Sequence, residues 1–201
     1  GGTYGYLKLE HNRFHGEDLE RVGDRNSYPE EDQGDSYAGQ GGHSRHAGDV
    51  DGDGRDGIRL GSCVIDDNGQ GLLSTGRGHC DQSYVGDLDP TRPGLEVYYG
   101  YETAKSANGI SMVDAATGEL LWGIDEPTTH IPTSGFVPDI DPAYPGMEAF
   151  SGEDKLNKFW FHSAQGEQIA EHLNDDSLMQ MAVYWDADMQ REMLVGSNLK
   201  K

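Results

Sequence analysis

The chain of 201 residues lacks most of what marks the large protein classes. No apolar run approaches the roughly 18 residues of a membrane-spanning helix, so no segment reads as one. Cations are scarce: 15 Lys and Arg face 36 Asp and Glu, a net charge of −21 without a basic stripe. Phosphate contacts need Lys and Arg, so a nucleic-acid binder is disfavoured. There are two cysteines, Cys63 and Cys80, and no C-x-x-C spacing, which argues against a structural zinc site. Their state stays open between one disulfide in a secreted protein and two buried thiols. No G-x-S-x-G elbow, no P-loop and no G-x-G-x-x-G before a helix occurs. A sustained helical stripe is absent too, the best candidate being the short Asp186–Leu194. The start, Gly1-Gly2-Thr3-Tyr4, has no initiator Met and no basic-then-apolar leader. A signal peptide is therefore expected to be absent or already removed, and the chain to be a piece of a longer polypeptide.

What is present is glycine, acid and regular punctuation. Glycine is 29 of 201 residues, twice its usual share of about 7%. The 34% hydrophobic content is low and hints at disorder, but 18 aromatics in regularly spaced apolar runs argue for a fold. Residues 1–36 read as an irregular acidic lead-in, open as the end of a preceding blade, with one strand near Tyr4–Leu9. From 37 to 201 short apolar runs alternate with Gly, Asp and Pro turns, including Ile58–Ile65, Leu95–Tyr101, Ile110–Val113 and Phe159–His162. Hairpin turns recur at Asp66-Asp67-Asn68-Gly69, Asp114-Ala115-Ala116-Thr117-Gly118 and Ser163-Ala164-Gln165-Gly166, with 48 and 49 residues between their first positions. A period of about 40–50 residues holding several short strands is the mark of propeller blades, and three to four of them do not close a ring. The expectation is all-β: an arc of three to four blades of a larger β-propeller.

Acidic loops recur with the repeat. Asp49-Val50-Asp51-Gly52-Asp53-Gly54 places carboxylates at positions 1, 3 and 5, the front half of a calcium loop. Asp87, Asp89 and Glu96 share the spacing i, i+2, i+9 with Asp139, Asp141 and Glu148, with Pro and Gly at matching places. Asp186 and Asp188, with Glu192, form a looser fourth loop. Turn formation alone explains Asp, Pro and Gly, but a repeated third carboxylate is not needed for a turn. Clustered carboxylates repel without a cation, and Ca²⁺ supplies one. Two histidines, His43 and His79, sit in glycine-flanked turns six and eight residues ahead of acidic loops, which places them equivalently in successive blades. They are candidate active-cleft residues, or plain turn histidines, and His46 and His130 are further candidates. Arg77 is one of few cations available to an anionic substrate.

These segments resemble a known family. Tyr37-Ala38-Gly39-Gln40-Gly41-Gly42-His43-Ser44, Gly48-Asp49-Val50-Asp51-Gly52-Asp53-Gly54, Ser74-Thr75-Gly76-Arg77-Gly78-His79, Gly86-Asp87-Leu88-Asp89-Pro90 and Trp185-Asp186-Ala187-Asp188 are similar to the family 11 polysaccharide lyases, bacterial rhamnogalacturonan lyases. The resemblance runs over about residues 37–195. It implies an eight-bladed calcium-binding β-propeller, secreted to the extracellular space or periplasm, whose remaining blades lie outside this chain. It also implies calcium-assisted β-elimination on the pectin backbone rhamnogalacturonan I, at the rhamnose–galacturonate bond. On this reading His43 and His79 are catalytic, Arg77 binds substrate, and Asp49, Asp51, Asp53, Asp87, Asp89, Glu96, Asp139, Asp141, Glu148, Asp186 and Asp188 hold Ca²⁺. The sequence departs from the family pattern at Gly57, where Glu is usual, at Arg59, where an apolar residue is expected, and at Cys80. A non-catalytic calcium-stabilised propeller for carbohydrate binding or adhesion, and a structural element of an assembly, remain the alternatives.

Overall fold

Every strand described is antiparallel to its neighbours, and within each sheet consecutive strands pair with one another. The computed structural model describes residues 8–15, 18–26, 37–132, 135–153, 158–173, 178–195 and 198–200. A hairpin of β1 (Lys8–His15) and β2 (Asp18–Asn26) comes first. A four-stranded meander follows: β3 (Arg45–Gly48), β4 (Gly57–Leu60), β5 (Cys63–Ile65) and β6 (Gly71–Ser74). A second contains β7 (Cys80–Gly86), β8 (Glu96–Tyr101), β9 (Ile110–Asp114) and β10 (Leu120–Gly123). The third is β11 (Ala149–Glu153), β12 (Lys158–His162) and β13 (Gln168–Leu173), and the fourth β14 (Leu178–Val183), β15 (Glu192–Val195) and β16 (Asn198–Lys200). Among the described residues no sheet closes on itself.

The period-2 geometry of a strand explains how these sheets stack. All six residues of β8 are buried, because both faces of its sheet are covered. Val97, Tyr99 and Tyr101 pack with Val64 and Leu73 of the preceding sheet. On the opposite face Tyr98 joins Ile110, Met112, Ala149 and Trp160, which links the second sheet to the third. Phe150, Phe159 and Phe161 then turn toward the fourth sheet, against Ala182 and Met193. A buried chain of hydrogen bonds crosses the second junction: Tyr98 Oη to Ser151 Oγ at 2.5 Å, and Ser151 Oγ to Gln82 Oε1 at 2.6 Å.

The structure corrects three local expectations. Asp186–Leu194 is not a helix. Asp186 and Asp188 accept hydrogen bonds from the backbone of Asp188 (3.0 Å) and Gln190 (3.1 Å), which competes with helical pairing, and a strand starts at Glu192. Ile58–Ile65 is not one strand, since Gly61 and Ser62 turn it into the β4–β5 hairpin. The lead-in holds the β1–β2 hairpin rather than a single strand near Tyr4–Leu9, whose residues 4–7 lie outside the described residues. The three foreseen hairpin turns are present, closed by Gly69, Gly118 and Gly166 at positive φ. Cys63 and Cys80 are buried thiols, not joined in a disulfide.

Two predictions follow from the packing. Gly61 has φ +61°, and a Cβ there would lie 2.2 Å from Gln40 O and 2.4 Å from Gly42 N. Gly61→Ala combines positive-φ strain with a backbone clash and is expected to cost at least ~2 kcal/mol by urea unfolding. His162 is 3% exposed, and burial lowers its pKa from 6.5 to about 4. Between those values the unfolded chain binds the proton and the folded chain does not. Stability therefore falls as pH drops from 6.5 to 4, by up to about 3 kcal/mol for this group, and His162→Phe should flatten that part of the pH profile.

Candidate functional site

Stacking brings the segments that lead into successive sheets side by side. His43 lies two residues before β3, His79 directly before β7, and His130 in the stretch between β10 and β11. β3 and β7 are in contact, and the three imidazoles converge on one carboxylate. Asp81 Oδ1 is 3.1 Å from His79 Nε2 and 3.4 Å from His43 Nε2, while Asp81 Oδ2 is 3.2 Å from His130 Nε2. Glu102, just past β8, places Oε2 3.2 Å from the same His79 nitrogen. The His43 and His79 rings meet edge-to-face with centroids 4.8 Å apart.

The two histidines expected from sequence are thus adjacent but not alike. His79 has a side-chain exposure of 2% and its Nδ1 is buried without a partner, whereas His43 is 63% exposed. Lying between two carboxylates, His79 Nε2 acts as a donor. Its turn is fixed from the neighbouring sheet: Gly78 N donates to Gln40 Oε1 (3.0 Å) and Ser62 Oγ donates to Gly78 O (2.5 Å). His130 is pinned in turn by Glu153, whose Oε1 accepts from His130 N at 2.9 Å. A cavity of about 300 Å³ opens beside the cluster, lined in part by His43, Ser44, His46, Asp81, Ser83 and Tyr84. Arg77 does not line it. That residue lies near Lys105, whose amine donates to Arg77 O (2.5 Å) and is held below its usual pKa by burial and then by the Arg77 charge.

Asp81 and Glu102 were not singled out from sequence. One signal was available: Asp81 follows His79 by two residues where β7 begins, a spacing that in extended backbone puts both on the same side.

The acidic loops divide into two kinds. Asp49, Asp51 and Asp53 bring carboxylate oxygens within 4.8 Å of one another, and Asp53 also gathers with Asp66 and Asp67. Asp186, Asp188 and Glu192 form a similar group. Asp87, Asp89 and Glu96 do not gather in this way, nor do Asp139, Asp141 and Glu148. There the glutamate folds back on its own loop: Glu96 Oε2 accepts from Leu88 N (2.9 Å) and Asp89 N (3.0 Å), and Glu148 Oε2 from Ile140 N (2.7 Å) and Asp141 N (3.1 Å). Glu192 Oε2 likewise accepts from Trp185 N at 2.9 Å. Glu96 Oε1 is satisfied by Arg92 at 2.9 Å, but Oε1 of Glu148 is buried with no hydrogen-bond partner. Burial raises the Glu148 pKa. The oxygen-only groups that do gather, Asp49 with Asp51 and Asp53, and Asp186 with Asp188 and Glu192, fit a hard cation such as calcium. The histidine cluster offers two carboxylates flanked by imidazoles, a softer donor set.

A family model described as rhamnogalacturonan lyase family 11, C-terminal domain, matches residues 2–201. The chain is 42% identical over 164 residues to a protein named rhamnogalacturonan exolyase YesX of Bacillus subtilis strain 168, covering 80% of this chain and 26% of the relative. It is 40% identical over 167 residues to rhamnogalacturonan endolyase YesW of the same organism, covering 83% and 25%. The crystal structure of rhamnogalacturonan lyase YesW superposes with a TM-score of 0.81 at 36% identity, covering 96% of this chain and 31% of that one. The exotype lyase YesX superposes at 0.83 with 37% identity and the same shares. The chain therefore spans about a quarter of the length of these curated relatives. By the family match over nearly its whole length, the chain belongs to rhamnogalacturonan lyase family 11, in the C-terminal domain of that family.

Proposed function

We propose that this chain carries part of the catalytic surface of a calcium-dependent rhamnogalacturonan lyase, and that its stacked sheets are consecutive blades of a propeller completed by residues outside the chain. The reading rests first on one observation: three imidazoles and Asp81, from segments that lead into successive sheets, cluster with Glu102 from just past β8 beside a solvent-open cavity. The relatives are named as lyases, which favours turnover over adhesion. The substrate would be rhamnogalacturonan I, met outside the cytoplasm.

β-Elimination needs a base for H5 of the galacturonate, stabilisation of the negative charge that develops at C5 and on the C6 carboxylate, and departure of the O4 leaving group. His43 suits the base. It is exposed, and Asp81 Oδ1 lies 3.4 Å from its Nε2, an approach that favours the ring proton there and Nδ1 as the acceptor. His79 is buried and shared between Asp81 and Glu102, so it positions those carboxylates. Asp81, gathered with His43 and His79 and with Glu102 also against His79, would hold a cation beside the cavity, while Asp49, Asp51 and Asp53 and the Asp186, Asp188 and Glu192 group would hold calcium in the loops. Calcium, when bound, supplies positive charge where negative charge develops and offsets the repulsion among clustered acids. Arg77, Asp87, Asp89, Glu96, Asp139, Asp141 and Glu148 have supporting places: the first beside Lys105, the others in loops whose glutamates organise the backbone.

With rhamnogalacturonan I as substrate, His43→Ala in the full-length protein is expected to lower kcat by about 10²–10⁴, the usual worth of a general base, with the melting temperature nearly unchanged. Unaltered turnover would remove His43 from the chemistry. Stripping calcium with a chelator is expected to lower the melting temperature by several degrees and abolish turnover, with both restored by added Ca²⁺. A melting temperature indifferent to the chelator would contradict the loop assignment.

A further inference from the structure

Beneath the cavity lies a charge that neither the fold nor the proposed chemistry uses. Arg59 is 1% exposed, in the middle of β4, and each hydrogen bond it makes goes to a neutral group. Nη1 donates to Gly61 O (3.0 Å) and to Ser83 Oγ, Nη2 donates to Ser44 Oγ (3.3 Å) and to His46 Nδ1 (2.8 Å), and Nε has no partner. Burial pushes its pKa down, and the ionisable groups that act on it are Tyr99, Cys80 and Cys63 rather than any carboxylate. A buried cation without an anion is costly, and arginine stays charged regardless. Ser44, His46 and Ser83 all line the cavity, so the charge sits one hydrogen bond behind its wall.

The guanidinium also dictates what that wall presents. It has only hydrogens to give, so His46 Nδ1 must accept, and the ring proton resides on Nε2. Burial, then the Arg59 charge, lowers the His46 pKa and keeps this tautomer neutral. Both serine oxygens accept from Arg59 and lie 3.0 Å apart. One hydroxyl donates to the other and Ser83 also bonds the Cys80 thiol, so with the thiol as donor one hydroxyl proton is left for the cavity. Tyr84 stacks on His46, with centroids 6.3 Å apart, while its own hydroxyl donates to Gly135 O. The wall is thus rich in donors and backed by a positive charge, and the cavity's acceptor, Asp81, is faced by His43, His79 and His130.

We propose that this cavity is a subsite for the carboxylate of a uronate, with His46 and the Ser44–Ser83 pair donating hydrogen bonds and Arg59 acting behind them as the positioning cation. Here the proposal rests on the lyase reading for the identity of the uronate, but not for the presence of an anion site. Its test uses the full-length protein with D-galacturonate and D-galactose as probes, which share a ring and differ at the carboxylate. Wild type should bind galacturonate in clear preference to galactose. Arg59→Met should weaken galacturonate binding about tenfold, the size of one charge-assisted hydrogen bond, and leave galactose binding alone. In turnover it should raise KM rather than lower kcat. If Arg59→Met does not fold, His46→Phe decides, with the same loss of selectivity expected. Equal affinity for the two sugars in wild type, or unchanged selectivity in a folded variant, overturns the subsite. Galacturonate selectivity that depends on Arg59 in a protein without elimination activity would uphold the subsite and sink the lyase reading. Elimination with KM unaffected by either substitution would do the reverse.

Discussion

The organisation of this chain depends on sheets that are apolar on both faces. A four-stranded meander such as β7–β10 cannot bury Val97, Tyr99 and Tyr101 on one side and Tyr98, Ile110 and Met112 on the other by itself. It needs a sheet against each face, and each of those needs another. Stacking then has a geometric by-product. The segments that lead into consecutive sheets are brought to one edge, so His43, His79 and His130 meet although 36 and 51 residues separate them in sequence. The candidate site is a junction between sheets and does not exist within any one of them.

Electrostatics follows the same layout. The chain carries −21, and a good part of that charge has definite work. Glu96, Glu148, Glu153 and Glu192 point inward and accept hydrogen bonds from loop backbone N–H groups that would otherwise be unsatisfied. Asp49, Asp51 and Asp53 instead face one another at the surface, an arrangement that is costly without a cation. Asp81 belongs to neither kind, since its carboxylate holds the histidine cluster together. Against this background Arg59 is the reverse case, a positive charge buried beside a cavity among neutral partners.

The sequence made much of this legible, because turn chemistry is local. Asp66 to Gly69, Asp114 to Gly118 and Ser163 to Gly166 could be read as hairpins from glycine at the positive-φ place. The pairing of His43 with His79 was legible as two glycine-flanked turns in equivalent positions. What escaped was non-local or polar. β7 has Gln82 and Ser83 buried, so no hydrophobic alternation announces it, and β3 faces the cavity with alternately exposed residues. Glu102 joins the site only through strand pairing, which sequence spacing does not show. The repeated i, i+2, i+9 carboxylates were a real pattern whose geometry differs from the simplest expectation, because Glu96 and Glu148 spend one oxygen on their own loop backbone.

Elimination at a uronate glycoside is the reaction proposed for this site. Mass spectrometry of the products formed from rhamnogalacturonan I by the full-length protein tests it most directly. Elimination leaves a 4,5-unsaturated galacturonate at the new non-reducing end, so the fragments together hold no added water. The account predicts such unsaturated fragments. Fragments that together have gained one water per cleaved bond, or intact polysaccharide with calcium present, would contradict it.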